Sequence, residues 1–186
     1  MSAEGAASVE GDASVRLFCG LTLPDDVVAR VAGWQRTLGS GDFRLVPPEN
    51  LHLTVAFLGP RRERELEAIA GKLQTAAAAA GPISLRTRRY NETRSVGMVV
   101  CDDVGGAGAA FAADLGRRLE RLGVYRPEQR GWLPHFTVVR FRRPPRLAPE
   151  VPDLEFTPSD AAVYLSRLRP LGAEYVVVRK YRLCCC

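Results

Sequence analysis

Apolar residues recur along this chain in two rhythms, and the switches between them mark its elements. Residues 15–23, V-R-L-F-C-G-L-T-L, read as a strand. Pro24 then opens a helix with Asp25 and Asp26 in its first turn, where carboxylates complement the dipole. Val27, Val31, Trp34 and Leu38 recur at helical spacing, and Gly39 ends the run. Residues 43–46 form a short strand, and Pro47-Pro48 forces an extended lead into an apolar strand over 50–59. A second helix is expected over 61–80, with Leu66, Ile69, Ala70 and Leu73 inward, stopped by Gly81-Pro82. Strands over 83–90 and 95–101 follow, joined by a turn around Asn91-Glu92. A third helix runs to Leu122 with Phe111, Leu115, Leu119 and Leu122 inward, closed by Gly123. An irregular loop over 124–133 delivers another apolar strand from Pro134. After an exposed, Pro-rich basic connection over 142–152, strands over 161–167 and 174–183 form a last pair around Pro170-Leu171-Gly172.

The order strand, helix, loop, strand therefore occurs twice, ending at His52 and at His135. Few residues match between the copies, but the elements do. This predicts two similar lobes of sheet and helix related by a pseudo-twofold axis, an α+β architecture. Composition fits: 46% of residues are hydrophobic and 25% charged, as in a soluble globular protein. No apolar run approaches the roughly 20 residues a membrane span needs. Residues 1–14 lack the basic start and apolar middle of a signal peptide and read as a disordered leader, which suggests a cytoplasmic protein. Residues 15–183 form a single bilobal domain, and 184–186 a short tail of three cysteines with neither metal-finger nor prenylation spacing. Cys19 and Cys101 lie in strand-like stretches and read as small buried hydrophobes.

The net charge is +5, and Lys occurs only at positions 72 and 180, so the surplus is guanidinium. Arginine suits phosphate because its planar fork bonds two oxygens at once, although the same excess follows from an Ala/Arg/Gly-rich composition. Gly105 to Gly108 lacks the Lys-Ser/Thr of a phosphate-binding loop and follows the acidic pair Asp102-Asp103. It reads as a plain strand-to-helix connection.

The chain has only two histidines, and each opens an H-x-T-apolar strand: His52-Leu53-Thr54-Val55 and His135-Phe136-Thr137-Val138. Alternation along a strand puts His52 beside Thr54 and His135 beside Thr137, about 7 Å apart, while Leu53, Val55, Phe136 and Val138 point to the core. Cleaving a phosphodiester without a metal needs one group to take a proton from the attacking oxygen and another to protonate the leaving oxygen. Imidazole does both near neutrality, and hydroxyl donors stabilise charge on the non-bridging oxygens. A phosphohistidine nucleophile expects Lys two residues after His. Zinc requires further ligands that this spacing does not offer, and no acyl-transfer motif is present. No metal or cofactor is expected. Arg140 and Arg44 are further candidates for phosphate or RNA contact, although strict alternation puts Arg140 one residue off the face of His135 and Thr137.

The paired motifs, with Pro47-Pro48-Glu49-Asn50-Leu51 before the first and Phe57-Leu58-Gly59 after it, resemble the two-histidine (2H) phosphoesterases. The likeness is to the RNA 2',3'-cyclic phosphodiesterase group of LigT type, historically called 2'-5' RNA ligases. Arg16-Leu17-Phe18, Leu23-Pro24, Pro134-His135 and Ser166-Arg167-Leu168 are similar too, so the resemblance spans about residues 15–183. It implies two pseudo-symmetric lobes of antiparallel sheet plus helices around a central cleft. It also implies metal-independent hydrolysis of 2',3'-cyclic phosphate ends to 2'-phosphates, with reversible 2'-5' ligation. By that resemblance His52 is the proton donor, His135 the proton acceptor, and Thr54 and Thr137 bind phosphate. The expected partners are RNA with such ends or small cyclic nucleotides, with no membrane and no protein partner implied. A non-catalytic RNA-end or nucleotide-binding module and a 2'-5' oligonucleotide phosphodiesterase are the alternatives.

Overall fold

The structure, a computed structural model, describes residues 13–169 and 172–183. The expected cysteine tail lies outside them, as does the expected leader apart from its last two residues. Of those two, Ser14 already belongs to the first strand, and the Ala13 carbonyl accepts the Glu63 N–H at 3.0 Å.

Two antiparallel sheets carry the molecule. In the first, the order is β3 (His52–Arg62), β1 (Ser14–Thr22), β8 (Asp160–Arg169) and β9 (Gly172–Arg182). The second runs β2 (Phe43–Leu45), β6 (His135–Phe141), β5 (Val96–Val104), β4 (Ser84–Glu92) and β7 (Glu155–Phe156). Helices α1 (Asp25–Gln35), α2 (Leu66–Ala79) and α3 (Ala107–Arg121) supply the cover, and α2 meets α3. The expected repeat is present: β1–α1–β3 and β5–α3–β6 are each a strand, a helix and a returning antiparallel neighbour that begins with the histidine. One hydrophobic core runs through both lobes, from Leu17, Leu53, Ile69 and Leu73 to Leu115, Leu119, Phe136 and Val138. No helix of the described residues is long and apolar enough to cross a membrane.

Local differences from the expected elements have local causes. The helix expected from residue 61 begins at Leu66, because Arg61 and Arg62 still pair with Val15 and Ser14 across the β1–β3 ladder. Pro47 is extended as expected, but Pro48 to Asn50 close into a single 3-10 turn, where Pro at the first position costs no hydrogen bond. Strand β4 runs on through Asn91-Glu92. The turn falls at Thr93, whose hydroxyl accepts the N–H groups of Ser95 and Val96. Asp103 accepts the N–H groups of Gly108 and Ala109 and so caps α3; Gly105-Gly106 make the strand-to-helix connection, and Ala107 and Gly108 already belong to the helix. Strand β7 is two residues long and pairs with β4 at Leu85 and Arg86; its brevity leaves it without a periodic signal.

Both histidine strands carry an extra residue at the same place, and β3 carries a second at Leu58. Opposite β1, Val55 is inserted between Thr54, which pairs with Gly20, and Ala56, which pairs with Cys19. Opposite β5, Val138 is inserted between Thr137, which pairs with Met98, and Val139, which pairs with Gly97. Each shared bulge lies three residues after its histidine, and each faces a glycine. A Cβ on Gly20 would meet the Leu53 carbonyl oxygen at 2.7 Å, and one on Gly97 would meet the Val139 side chain at 2.5 Å. A bulge reverses the alternation beyond it. The buried doublets Val55-Ala56 and Val138-Val139 absorb the reversal, and the fifth residue after each histidine, Phe57 or Arg140, turns to the histidine's own face.

Candidate active site

His52 and Thr54 lie on the face of the first sheet that carries Phe18, Gly20 and Thr22 of β1, their ladder partners or close neighbours. This face holds a small aromatic cluster of its own, separate from the main core: Phe18, Ala162 and Tyr164, with Tyr175 packed against them. The His52 ring sits 4.7 Å from Phe18, 5.3 Å from Tyr164 and 5.0 Å from Tyr175, centroid to centroid, the last edge-on. On β6, His135 and Thr137 share a half-buried face.

The two imidazoles are held in the same way. His52 Nδ1 lies 2.7 Å from the carbonyl of Asn50, and His135 Nδ1 lies 2.8 Å from the carbonyl of Leu133, each two residues earlier. A carbonyl only accepts, so Nδ1 carries the proton in both rings and Nε2 is left for chemistry. In His52 that nitrogen faces the Thr54 hydroxyl at 3.2 Å, which donates to it when the ring is neutral.

Burial against the aromatic cluster pushes the His52 pKa down to about 4; the Asn50 hydrogen bond works the other way, and the charges of Arg140 and His135 add to the depression. The fields of Arg140 and His135, from the other lobe, therefore reach His52. Strict alternation puts Arg140 off this face, and the Val138 bulge corrects that. Its guanidinium donates to the Tyr175 hydroxyl at 3.1 Å, and Tyr175 is the residue whose ring edge meets His52. Arg44 stands opposite Arg140 in the β2–β6 ladder, with its guanidinium nitrogen 3.0 Å from the point a Cβ on Gly172 would occupy. It therefore sits at the β8–β9 turn, while Arg140 is the one whose charge reaches the ring.

Several residues join the site without a chemical signature of their own, Asn50 standing only within the stretch that carries the family resemblance. Asn50 is buried; its amide donates to the Ala173 carbonyl at 2.9 Å and its oxygen accepts the Tyr175 N–H at 3.1 Å. It thereby ties the lead into β3 to the start of β9. Trp132 donates its indole N–H to the Thr54 carbonyl at 2.9 Å, bringing the loop before His135 onto the first histidine strand. Gln35, buried at the end of α1, donates to the carbonyls of Val46 at 3.0 Å and of the bulged Val138 at 2.7 Å. Each histidine strand is thus fastened by a side chain from the other repeat. A buried glutamine in an otherwise apolar helix face is the one signal available for these ties.

Among the described residues no group of three or more His, Cys, Asp or Glu is placed to hold a metal ion. Two Nε2 atoms, two threonine hydroxyls and one guanidinium are the functional groups that in-line transfer at phosphorus requires: an acid, a base and donors for the non-bridging oxygens.

Comparison with known proteins gives the same picture. Residues 21–92 match the model of the LigT-like phosphoesterases. The chain is 32% identical over 180 residues to the RNA 2',3'-cyclic phosphodiesterase of Thermus thermophilus, spanning 91% of this chain and 90% of that one. It is 28% identical over 183 residues to the protein of the same name from Methanothermobacter thermautotrophicus, spanning 91% and 99%. A crystal structure of a Thermus thermophilus protein superposes with a TM-score of 0.79 at 27% identity, covering 90% of this chain and 97% of that one. E. coli LigT, crystallised with 3'-AMP, shares the fold with a TM-score of 0.75 at 19% identity, covering 92% and 99%. Paired histidine strands, lobe symmetry and full-length similarity agree, and the chain belongs to the LigT-like phosphoesterase family.

Proposed function

We propose that this protein is an RNA 2',3'-cyclic phosphodiesterase that opens terminal cyclic phosphates to 2'-phosphates by paired-histidine acid–base catalysis. The observation that carries the reading is the matched tethering of the two imidazoles. Each Nδ1–H is committed to a backbone carbonyl, each Nε2 is left for proton transfer, and Arg140 lies close enough to act on His52.

His135 Nε2 takes a proton from the attacking water while His52 Nε2 delivers one to the departing O3' on the opposite side of phosphorus. Thr54, Thr137 and Arg140 hold the non-bridging oxygens as charge builds there. The pKa of about 4 makes the His52 ring neutral in the free protein at neutral pH. The negative charge of the bound phosphodiester raises that pKa, so the donor acquires its proton with the substrate. When the 5'-hydroxyl of a second strand attacks in place of water, with His135 taking its proton and O3' leaving with a proton from His52, the product is a 2'-5' phosphodiester, and the reverse of that step cleaves the link. A cytoplasmic setting agrees with an RNA substrate and with the buried free thiols of Cys19 and Cys101.

The test is to incubate the purified protein with a nucleoside 2',3'-cyclic phosphate and with short RNA bearing the same end, both in excess EDTA. The expected result is conversion of both to the 2'-phosphate at full rate. Binding without turnover leaves a nucleotide-binding module, and loss of turnover on chelation points to a metal enzyme.

A further inference from the structure

The Val55 bulge in β3 brings Phe57 onto the face of His52, yet Phe57 is 53% exposed. Among the described residues it is the one aromatic ring of the exposed large hydrophobics. Phe57 stands in the row Tyr164, Phe18, Phe57 on adjacent strands β8, β1 and β3, and so continues outward the aromatic floor beneath His52. Its partner Phe18 lies four positions along β1 from Thr22, the partner of His52, a backbone offset of about 13 Å that the His52 ring partly spans by leaning to 4.7 Å from Phe18. Arg16, two residues from Phe18 on the same face, holds its guanidinium carbon 5.6 Å from the Phe57 ring centroid. Past this pair, at the outer end of the same two strands, is a cavity of about 540 Å³ lined by Arg61, Arg62 and Arg64 with Ser14, Pro60 and Glu65. The Glu65 carboxylate accepts the Arg62 backbone N–H, so one of its oxygens is directed at the backbone.

We propose that Phe57 and Arg16 form a stacking platform for an unpaired base of RNA on the 5' side of the terminal nucleoside. The arginine-lined cavity takes backbone phosphates further along. Three features select single-stranded RNA as the occupant. Phe57 shares the sheet face of His52 and Thr54, and a strand whose end lies between the histidines has to leave across one of the flanking faces. A flat ring paired with a guanidinium stacks any base without requiring a sequence. The charge beyond it is arginine, which suits phosphate oxygens.

This inference rests on the proposed activity and deepens it. The measurement is the ratio of kcat/KM for a pentanucleotide RNA ending in a 2',3'-cyclic phosphate to that for a nucleoside 2',3'-cyclic phosphate. Phe57→Ala is expected to lower the ratio by about tenfold or more, Phe57→Tyr to restore most of it, and Arg16→Gln to lower it by a smaller factor. An unchanged ratio in Phe57→Ala, whatever happens to each rate, overturns the platform. If the wild type turns over neither substrate, the activity is wrong, and the platform is decided separately by fluorescence anisotropy with a labelled pentanucleotide. About tenfold weaker binding by Phe57→Ala then supports the platform, and equal binding overturns it.

Discussion

In β3 the residue swung round by the bulge is Phe57, which faces outward beneath Arg16; in β6 it is Arg140, which turns inward to Tyr175 and the field of His52. The two strands share a histidine tethered to the carbonyl two residues back, a threonine two residues on, a bulge three residues on and a glycine across the ladder. Their surroundings differ. His52 is backed by three aromatic rings, and the aromatic contacts of the described residues include none to His135. Duplicated backbone geometry sets where the rings stand, and the unduplicated side chains around His52 hold its pKa down. A symmetric frame can thus support an asymmetric reaction.

Removing either ring is the severest way to break that comparison. His52→Ala and His135→Ala are each expected to lower kcat/KM on a cyclic phosphate by about a hundredfold or more, and the double variant to fall little further, since the two act as one unit. Arg140→Gln, which keeps the polar shape and removes the charge, is expected to cost about a hundredfold in kcat in single-turnover assays. Arg44→Gln on the same ladder rung should cost far less.

The proton on His52 offers a test without turnover. Its folded pKa of about 4 lies below the unfolded value near 6.5, so the unfolded chain takes up the proton first. Its contribution to stability is complete above pH 6.5 and is lost as pH falls toward 4, by about 3 kcal/mol. Urea unfolding across that window should show the slope, and His52→Gln should flatten it. Proton NMR of the ring should find the low pKa in the free protein and an upward displacement when inorganic phosphate is added.

Smaller effects probe the bulges. Gly97→Ala must push aside the Tyr90 hydroxyl and the Val139 side chain, and should destabilise by about 1–3 kcal/mol in urea melts. Trp132→Phe removes one hydrogen bond to the Thr54 carbonyl and should cost about 1 kcal/mol.

Most of the architecture is legible in periodicity, because long amphipathic runs such as Phe111, Leu115 and Leu119 bury the face that their spacing predicts. The histidine and threonine pairs are legible because two residues on one side of a strand keep their relation whatever surrounds them. Arg140 is misplaced by alternation carried through Val138, where the ladder gains a residue. The doublets Val55-Ala56 and Val138-Val139, two apolar residues in a row at the same offset from each histidine, are the available sign. Asn50 is marked only by the stretch that carries the family resemblance, and Tyr175 and the carbonyl of Leu133 carry no pattern, since these roles arise only when segments more than a hundred residues apart meet or from the backbone alone.

Strand β2 precedes the first histidine in the chain yet lies in the second sheet, where Phe43 pairs with Phe141, 98 positions away. Closing so long a loop is entropically slow, and neither lobe can be completed before the other contributes to it. During refolding, helical and strand content should therefore recover ahead of hydrolytic activity, and a chain severed at Gly81-Pro82 should regain function only when both pieces are mixed. Catalytic competence in this fold reports the final docking step, so enzyme assays double as a clock for the last event of assembly.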